Sequence, residues 1–308
     1  MLIYLVLALI AGFSLSNQGP INARLKLAVN SAFWSSTISQ IIGTALLAVL
    51  SLAIGFGLFP SVEFVTSHPW WIWLGCFLGP IYVTSNIYLF QKLGAVQAVI
   101  LPILGQIVTG VLIDTFGWFN QAKIPISTLR LLGILITVSG ILVAVILPRL
   151  RSGRQTGNPT TGLMFWRIWG IFTGGLVAMQ QAINGQLGIL VGSPVKAGFL
   201  SFFWGLVLIF CVSLIVERKF PQKQDFKQIK LWNGLGGLCG AVFVVAVIIA
   251  VPKIGTGLNI LMALVGQIVG SMLIQQFGWW KSQKAGIHPA QIIGVIIMVV
   301  GIIFIKFL

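Results

Sequence analysis

The sequence predicts an all-α integral membrane protein of about ten transmembrane helices, arranged as two five-helix repeats of inverted topology. Three observations predict this class: the composition, the spacing of the apolar runs and an internal duplication. The chain has 308 residues, of which 57% are hydrophobic and only 7% are charged. Soluble globular proteins carry about 25% charged residues. A chain this poor in charge is therefore expected to have the lipid bilayer as its main solvent.

A transmembrane helix needs about 20 consecutive apolar residues. The apolar runs predict ten spans, at 2–23, 33–56, 70–91, 95–117, 127–148, 164–190, 196–216, 231–251, 256–277 and 289–307. A β-barrel is excluded because continuous runs such as 131–147 lack the alternation of barrel strands. The first span has no basic segment before it, so we interpret it as a membrane helix rather than a signal peptide.

The basic residues predict the orientation. The net charge is +15, which in a soluble protein would indicate nucleic-acid binding. Here the 19 Lys and Arg residues lie almost entirely between spans, so we expect no nucleic-acid partner. Five of them lie on the side of the N-terminus and 14 on the opposite side. The positive-inside rule then places the basic loops in the cytoplasm and both termini outside.

Two copies of one unit are visible in the sequence. Gln18 and Asn22 recur as Gln180 and Asn184 at a shift of 162, and the GQIV segment at 105–108 recurs at 266–269, a shift of 161. This predicts a first repeat at 1–148, a basic cytoplasmic linker at 149–163 and a second repeat at 164–308. Because each unit has five spans, the second must enter the membrane from the opposite side. Inverted repeats of this kind are characteristic of secondary transporters.

Polar side chains inside apolar spans are the candidate site residues, because they are costly in lipid unless paired or facing a cavity. Gln18 and Asn22 lie on one face of the first span, and Gln180 and Asn184 lie on one face of the sixth span. The inverted symmetry is expected to bring these two polar faces toward one midplane position. The interruption expected at Gly19 and Pro20 also indicates a site there. The alternative is that the amides join helices structurally. The predicted substrate-binding residues are Gln18, Asn22, Tyr82, Asn86, Gln106, Gln180, Asn184 and Gln267.

Asp114 is the one acidic residue within a predicted span, near the end of that span. It is a candidate ion-coupling residue, and the alternative is an ordinary interfacial charge. The three cysteines lack metal-ligand spacing, and no Walker A motif is present. We therefore expect no metal, no cofactor and no catalytic residue. A lipid-modifying enzyme would need paired acids, a histidine cluster or a metal.

The Gln18–Ala23 stretch (QGPINA), its partner Gln180–Gly185 (QQAING) and the two GQIV segments resemble the drug/metabolite transporter superfamily, and more narrowly its YdcZ-type branch. The similarity covers essentially the whole chain, in a fused two-unit form. It implies a bacterial inner-membrane protein that moves small organic molecules, often outward. Proton-coupled multidrug members carry a glutamate in the first helix, whereas this chain has amides there.

The leading functional hypothesis is a secondary transporter, expected to export a small organic solute by alternating access between its repeats. The alternatives are a non-transporting membrane subunit and a membrane-embedded lipid-modifying enzyme. Glycines recur on the fifth and tenth spans at 133, 140, 294 and 301. They predict a packing face, either between the two halves or between the protomers of a homodimer.

Overall fold

The computed structural model describes residues 1–151, 163–222 and 229–307, except for the side chains of residues 83–84, 86–87, 90–91, 94–96, 149–151 and 306–307. The described residues are helical and contain no strand. We number the helices α1 (Leu2–Val29), α2 (Ala32–Ala53), α3 (Val62–Ser67), α4 (Gly75–Phe116), α5 (Thr128–Arg151), α6 (Leu163–Leu190), α7 (Pro194–Glu217), α8 (Leu235–Ile254), α9 (Thr256–Phe277) and α10 (Pro289–Phe307). The predicted linker at 149–163 falls mostly outside the described residues.

Seven helical segments of the described chain are long and apolar enough to cross a membrane. They are Leu2–Val29, Ala32–Ala53, Gln97–Phe116, Thr128–Pro148, Pro194–Glu217, Leu231–Ile254 and Thr256–Phe277. Helix α10 is apolar over a shorter length, Pro289–Ile305. These segments confirm the prediction of an all-helical protein with several membrane spans.

Helix α4 differs from the prediction of two separate spans, because its backbone is helical without a break over 42 residues. Its contacts nevertheless show that it is not straight. Leu89 and Leu101 would lie about 18 Å apart along a straight helix. A methyl group placed on Gly170 of α6 would lie 3.5 Å from Cδ2 of Leu89 and 3.1 Å from Cβ of Leu101. Helix α4 therefore bends between these two leucines, and we call the parts before and after the bend its first and second arms.

The first helix of each half packs on the other half. Helix α1 lies against α8 and α9, whereas α6 lies against α4. Gly12 of α1 faces the backbone carbonyl of Ala263, and its repeat partner Gly174 faces that of Pro102. A methyl group on these glycines would lie 1.8 Å and 2.0 Å from the two carbonyl oxygens. The absence of a side chain at both positions lets the helix backbones come into direct contact.

Helix α1 runs through Gly19 and Pro20 without interruption, so the predicted break in the first helix is wrong. A proline removes one backbone hydrogen bond and usually kinks a helix. Here the helix is held along its length by packing against α8 and α9, which favours a continuous backbone. The polar residues of α1 are therefore presented by a regular helix.

The glycines of α5 and α10 pack these two helices against each other within one chain. A methyl group on Gly133 would lie 2.7 Å from the carbonyl oxygen of Gly301, and one on Gly140 would lie 2.6 Å from that of Gly294. Of the two roles predicted for these glycines, contact between the halves is the one present. A homodimer is not tested by this arrangement.

Candidate functional site

A cavity of about 400 Å³ lies between the two halves of the chain. Helices α1, α2, α4, α6, α7, α8 and α9 all contribute to its lining, which contains no charged side chain among the described residues. Much of the lining consists of residues that the duplication relates to each other. These pairs are Leu15 and Val177, Gln18 and Gln180, Gly79 and Gly240, Tyr82 and Phe243, Val99 and Ile260, Ile103 and Leu264, and Gln106 and Gln267.

Six glutamines line this cavity, and four of them form pairs related by the duplication, Gln18 with Gln180 and Gln106 with Gln267. Glycines create the space for two of them. A methyl group on Gly240 would lie 2.7 Å from Nε2 of Gln18, and one on Gly79 would lie 2.7 Å from Nε2 of Gln180. Each carboxamide therefore lies next to a glycine of the opposite half. A carboxamide can donate and accept hydrogen bonds, so these groups suit a neutral polar ligand.

Tyr82 lines the cavity opposite Phe243, its repeat partner, so the two walls differ by one hydroxyl group. The side chain of Asn86, the other residue predicted on this wall, lies outside the described residues. The remaining walls are mainly apolar. An apolar cavity of this size with a few converging polar groups is typical of small-molecule sites.

The structure places Asn22 and Asn184 outside the cavity lining, although the sequence predicts them as site residues. Nδ2 of Asn184 donates a hydrogen bond of 2.9 Å to Oγ of Ser201. Its Oδ1 lies 2.4 Å from where a methyl group on Gly75 would be, and Oδ1 of Asn22 lies 2.2 Å from the equivalent point on Gly236. These two amides therefore contact the first turns of α4 and α8.

Sequence reasoning missed two glutamines that line the cavity. Gln40 lines it and donates from Nε2 to the carbonyl oxygen of Phe202 at 3.2 Å. Gln181 also lines it, and its Oε1 accepts a 2.8 Å hydrogen bond from Nδ2 of the fully buried Asn259. Neither glutamine recurs in the other repeat, so a comparison of the repeats gives no signal for them. A sequence feature that could have indicated Gln181 is the unusually polar stretch of α6 in which it lies, GGLVAMQQAINGQ.

Asp114 lies outside the cavity lining and is fully buried in an ion pair. Nη2 of Arg130 donates to its Oδ2 at 2.9 Å. The backbone N–H groups of Thr256 and Gly257, in the first turn of α9, donate to the carboxylate at 2.6 Å and 2.9 Å. A carboxylate at this position satisfies unpaired N–H groups and complements the helix dipole. Asp114 therefore joins α4 and α5 to the start of α9.

A comparison with known families agrees with the duplication. The model of the family DMT_YdcZ, described as "Putative inner membrane exporter, YdcZ", matches the chain twice, at residues 3–143 and 165–304. This chain belongs to the DMT_YdcZ family. Two successive matches mean that it is a two-unit form, with one family unit in each half. It is accordingly a multi-pass inner-membrane protein of a transporter family.

One solved structure, titled only "Crystal structure of protein", shares 15% sequence identity with this DMT_YdcZ protein over 97% of each chain, with a TM-score of 0.66. At that identity the likeness concerns the fold alone. No curated protein matches the chain. Membership of a family described as exporters is consistent with the prediction that the chain is not an enzyme.

Proposed function

We propose that this protein is a secondary exporter that binds a small neutral solute in the carboxamide-lined cavity and moves it by alternating access. The observation that carries the proposal is the symmetry of the lining. Each half contributes an equivalent glutamine pair, Gln18 with Gln106 and Gln180 with Gln267. A site on the axis that relates two repeats presents similar groups to a solute from either side of the membrane, as inverted-repeat transport requires.

The fold supports ten membrane passes in two inverted units. The two arms of α4 supply the third and fourth passes, which correspond to α8 and α9 in the second unit. In the second unit the two helices are separated at Gly255, whose φ of 83° is accessible mainly to glycine. Five passes per unit would give the two units opposite orientations, and by the positive-inside rule we propose that both termini lie outside.

The chemistry of the lining suggests the solute class. Carboxamides and hydroxyl groups bind neutral donors and acceptors, whereas a desolvated ion would need a countercharge. We therefore propose a neutral solute with several hydrogen-bonding groups and an apolar part. The contacts of Asp114 favour a structural role over ion coupling, because both its oxygens already accept charge-assisted or backbone hydrogen bonds.

Solute flux in proteoliposomes tests the proposal. A panel of neutral polar solutes is loaded, and efflux is compared for wild type, Gln18→Leu and Gln180→Leu. Gln275→Leu is the matched control, since Gln275 is exposed and does not line the cavity. We expect both cavity variants to lose at least tenfold in flux of a solute that wild type carries, while the control retains it.

The same experiment separates the alternatives. A non-transporting subunit would carry no member of the panel above protein-free vesicles. A lipid-modifying enzyme would alter the vesicle phospholipids, which mass spectrometry of the extracted lipids would detect. A homodimer through α5 and α10 would have to use the faces of these helices away from their glycines, where residues such as Leu135 and Ile296 are exposed.

A further inference from the structure

A second cavity, of about 430 Å³, lies between the first arm of α4, α6 and α7. We call it the lateral groove. Its lining is almost entirely apolar and aromatic, and consists of Pro80, Ile81, Ser85, Tyr88, Phe165, Trp166, Trp169, Leu208 and Val212. Pro80 lines both the lateral groove and the carboxamide-lined cavity, so the two are adjacent at this residue.

The groove faces outward from the helix bundle. Phe165 is 59% exposed and Tyr88 is 40% exposed, in a chain whose exposed apolar surface lies against lipid. The ring of Tyr88 stacks on that of Trp166 at 6.2 Å, and Phe165 stacks on Trp169 at 6.0 Å. From Pro80 to Tyr88 the helix rises about 12 Å. The groove is therefore an aromatic crevice that extends from the lipid-facing surface to Pro80, which also lines the polar cavity.

The residues that line the groove have different counterparts at the symmetry-related position of the second unit. The equivalents of Trp169 and Ser85 are Leu7 and Ala246. These two pack together in a small apolar cluster with Val247 and Val251. The two positions therefore differ in their lining, which is aromatic in the groove and aliphatic at the equivalent residues.

The lateral groove lies at the basic end of the bundle. Helix α6 begins beside it, and α7 ends near it before the charged segment at 218–230. Arg167 lies between Trp166 and Trp169 in the sequence and is exposed. Its Nε donates a hydrogen bond to Oε1 of Gln97 at 2.9 Å. By the positive-inside rule this is the cytoplasmic leaflet.

We propose that the solute is an amphipathic molecule that enters sideways from the cytoplasmic leaflet, with its polar group against the cavity carboxamides and its apolar tail in the lateral groove. The proposal rests on the proposed function and specifies its substrate class. Two features carry it: Pro80 lines both the polar cavity and the apolar groove, and the groove lies at the basic end of the bundle. A tail that stays in lipid-like surroundings throughout needs no transfer into water.

Photolabelling tests where the tail lies. The probe is an N-decyl gluconamide with a diazirine at the end of its alkyl chain, added to the protein in lipid nanodiscs. We expect labelling of the segment that contains Phe165, Trp166 and Trp169, identified by peptide mass spectrometry. Leu208→Trp should fill the groove and lower this labelling at least fivefold. Val207→Trp is the matched control, because Val207 is exposed on the same helix and does not line the groove.

A phospholipid acyl chain resting in the groove would also be near these residues, and a second arm distinguishes it. Gln180→Leu removes a polar contact from the cavity without touching the groove. If the probe is held by both ends, Gln180→Leu also lowers groove labelling several-fold. Labelling that is unchanged in Gln180→Leu, or equal with a diazirine phosphatidylcholine, means that the groove holds bilayer lipid only, which overturns the proposal.

The outcome is separable from that of the proposed function. Flux of neutral solutes through the carboxamide-lined cavity, combined with no groove labelling by the amphipathic probe, would leave the exporter intact and refute lateral access. Groove labelling that depends on Gln180, in the absence of any flux, would show an amphipath-binding site and refute transport.

Discussion

Gly12→Ala is the substitution that most sharply tests the interlocking of the two halves. The added methyl group would lie 1.8 Å from the carbonyl oxygen of Ala263, whereas Cβ atoms essentially never approach heavy atoms closer than 3.0 Å. Helices α1 and α9 would have to separate locally by at least the difference, 1.2 Å. The obstacle is backbone, which cannot rotate away. Forcing extra volume into a well-packed interior typically costs about 1–3 kcal/mol.

Gly174→Ala, at the repeat-related position, is a replicate of this test, and Gly19→Ala, on the same helix as Gly12, is its control. Gly174→Ala meets the carbonyl oxygen of Pro102 at 2.0 Å and should be destabilised by a similar amount. Gly19→Ala meets nothing within 4 Å, so it should leave stability unchanged or raise it slightly, since alanine favours helix over glycine. The assay is reversible unfolding in mixed micelles at increasing SDS, followed by far-UV circular dichroism.

The result that would refute the packing argument is specific. If Gly12→Ala and Gly174→Ala unfold at the same SDS fraction as Gly19→Ala, the helices of the two halves are not in backbone contact at these positions. A loss in one variant only would show that the duplication does not extend to equivalent packing.

Three further substitutions probe the buried polar contacts. Asp114→Asn should lower stability by about 3–5 kcal/mol because Arg130 is left buried without a countercharge, and adding Arg130→Gln should recover part of the loss in the same SDS unfolding assay. Asn259→Leu should cost about 1–3 kcal/mol because the buried Oε1 of Gln181 loses its donor; a double variant with Gln181→Leu that is no more stable than the single would contradict this pairing. Ser193→Ala removes the N-cap of α7 and should cost about 1 kcal/mol, and an unchanged SDS midpoint would argue against the cap.

The sequence predicts the membrane class, the duplication and part of the cavity because these depend on residue type and spacing. Gln18 and Gln180 are polar, paired by the repeat and placed in apolar spans, and the structure brings both to one cavity. Asn22 lies on the same helical face as Gln18 but one turn, about 5.4 Å, further along. Asn22 therefore lies beyond the cavity, against the first turn of α8. The sequence pattern does not indicate where the cavity ends.

Other features depend on contacts between residues far apart in the chain. The acceptor of Asn259 is Gln181, 78 residues away, and the N–H groups that bind Asp114 are more than 140 residues away. The repeat comparison pairs Asp114 with Gln275, which suggests nothing about an ion pair. Such partners become visible only once the fold has brought the helices together.

Two-sided access to the cavity is the most direct test of the proposed alternating mechanism. Gln106→Cys is made after Cys76, Cys211 and Cys239 are replaced by serine, and a membrane-impermeant maleimide is added to right-side-out or to inverted vesicles. Alternating access predicts labelling of this cavity residue from both sides, each protected by a solute that the wild type carries. Labelling from one side only, with no change on adding any solute, would mean that the cavity does not change its access and would contradict the mechanism.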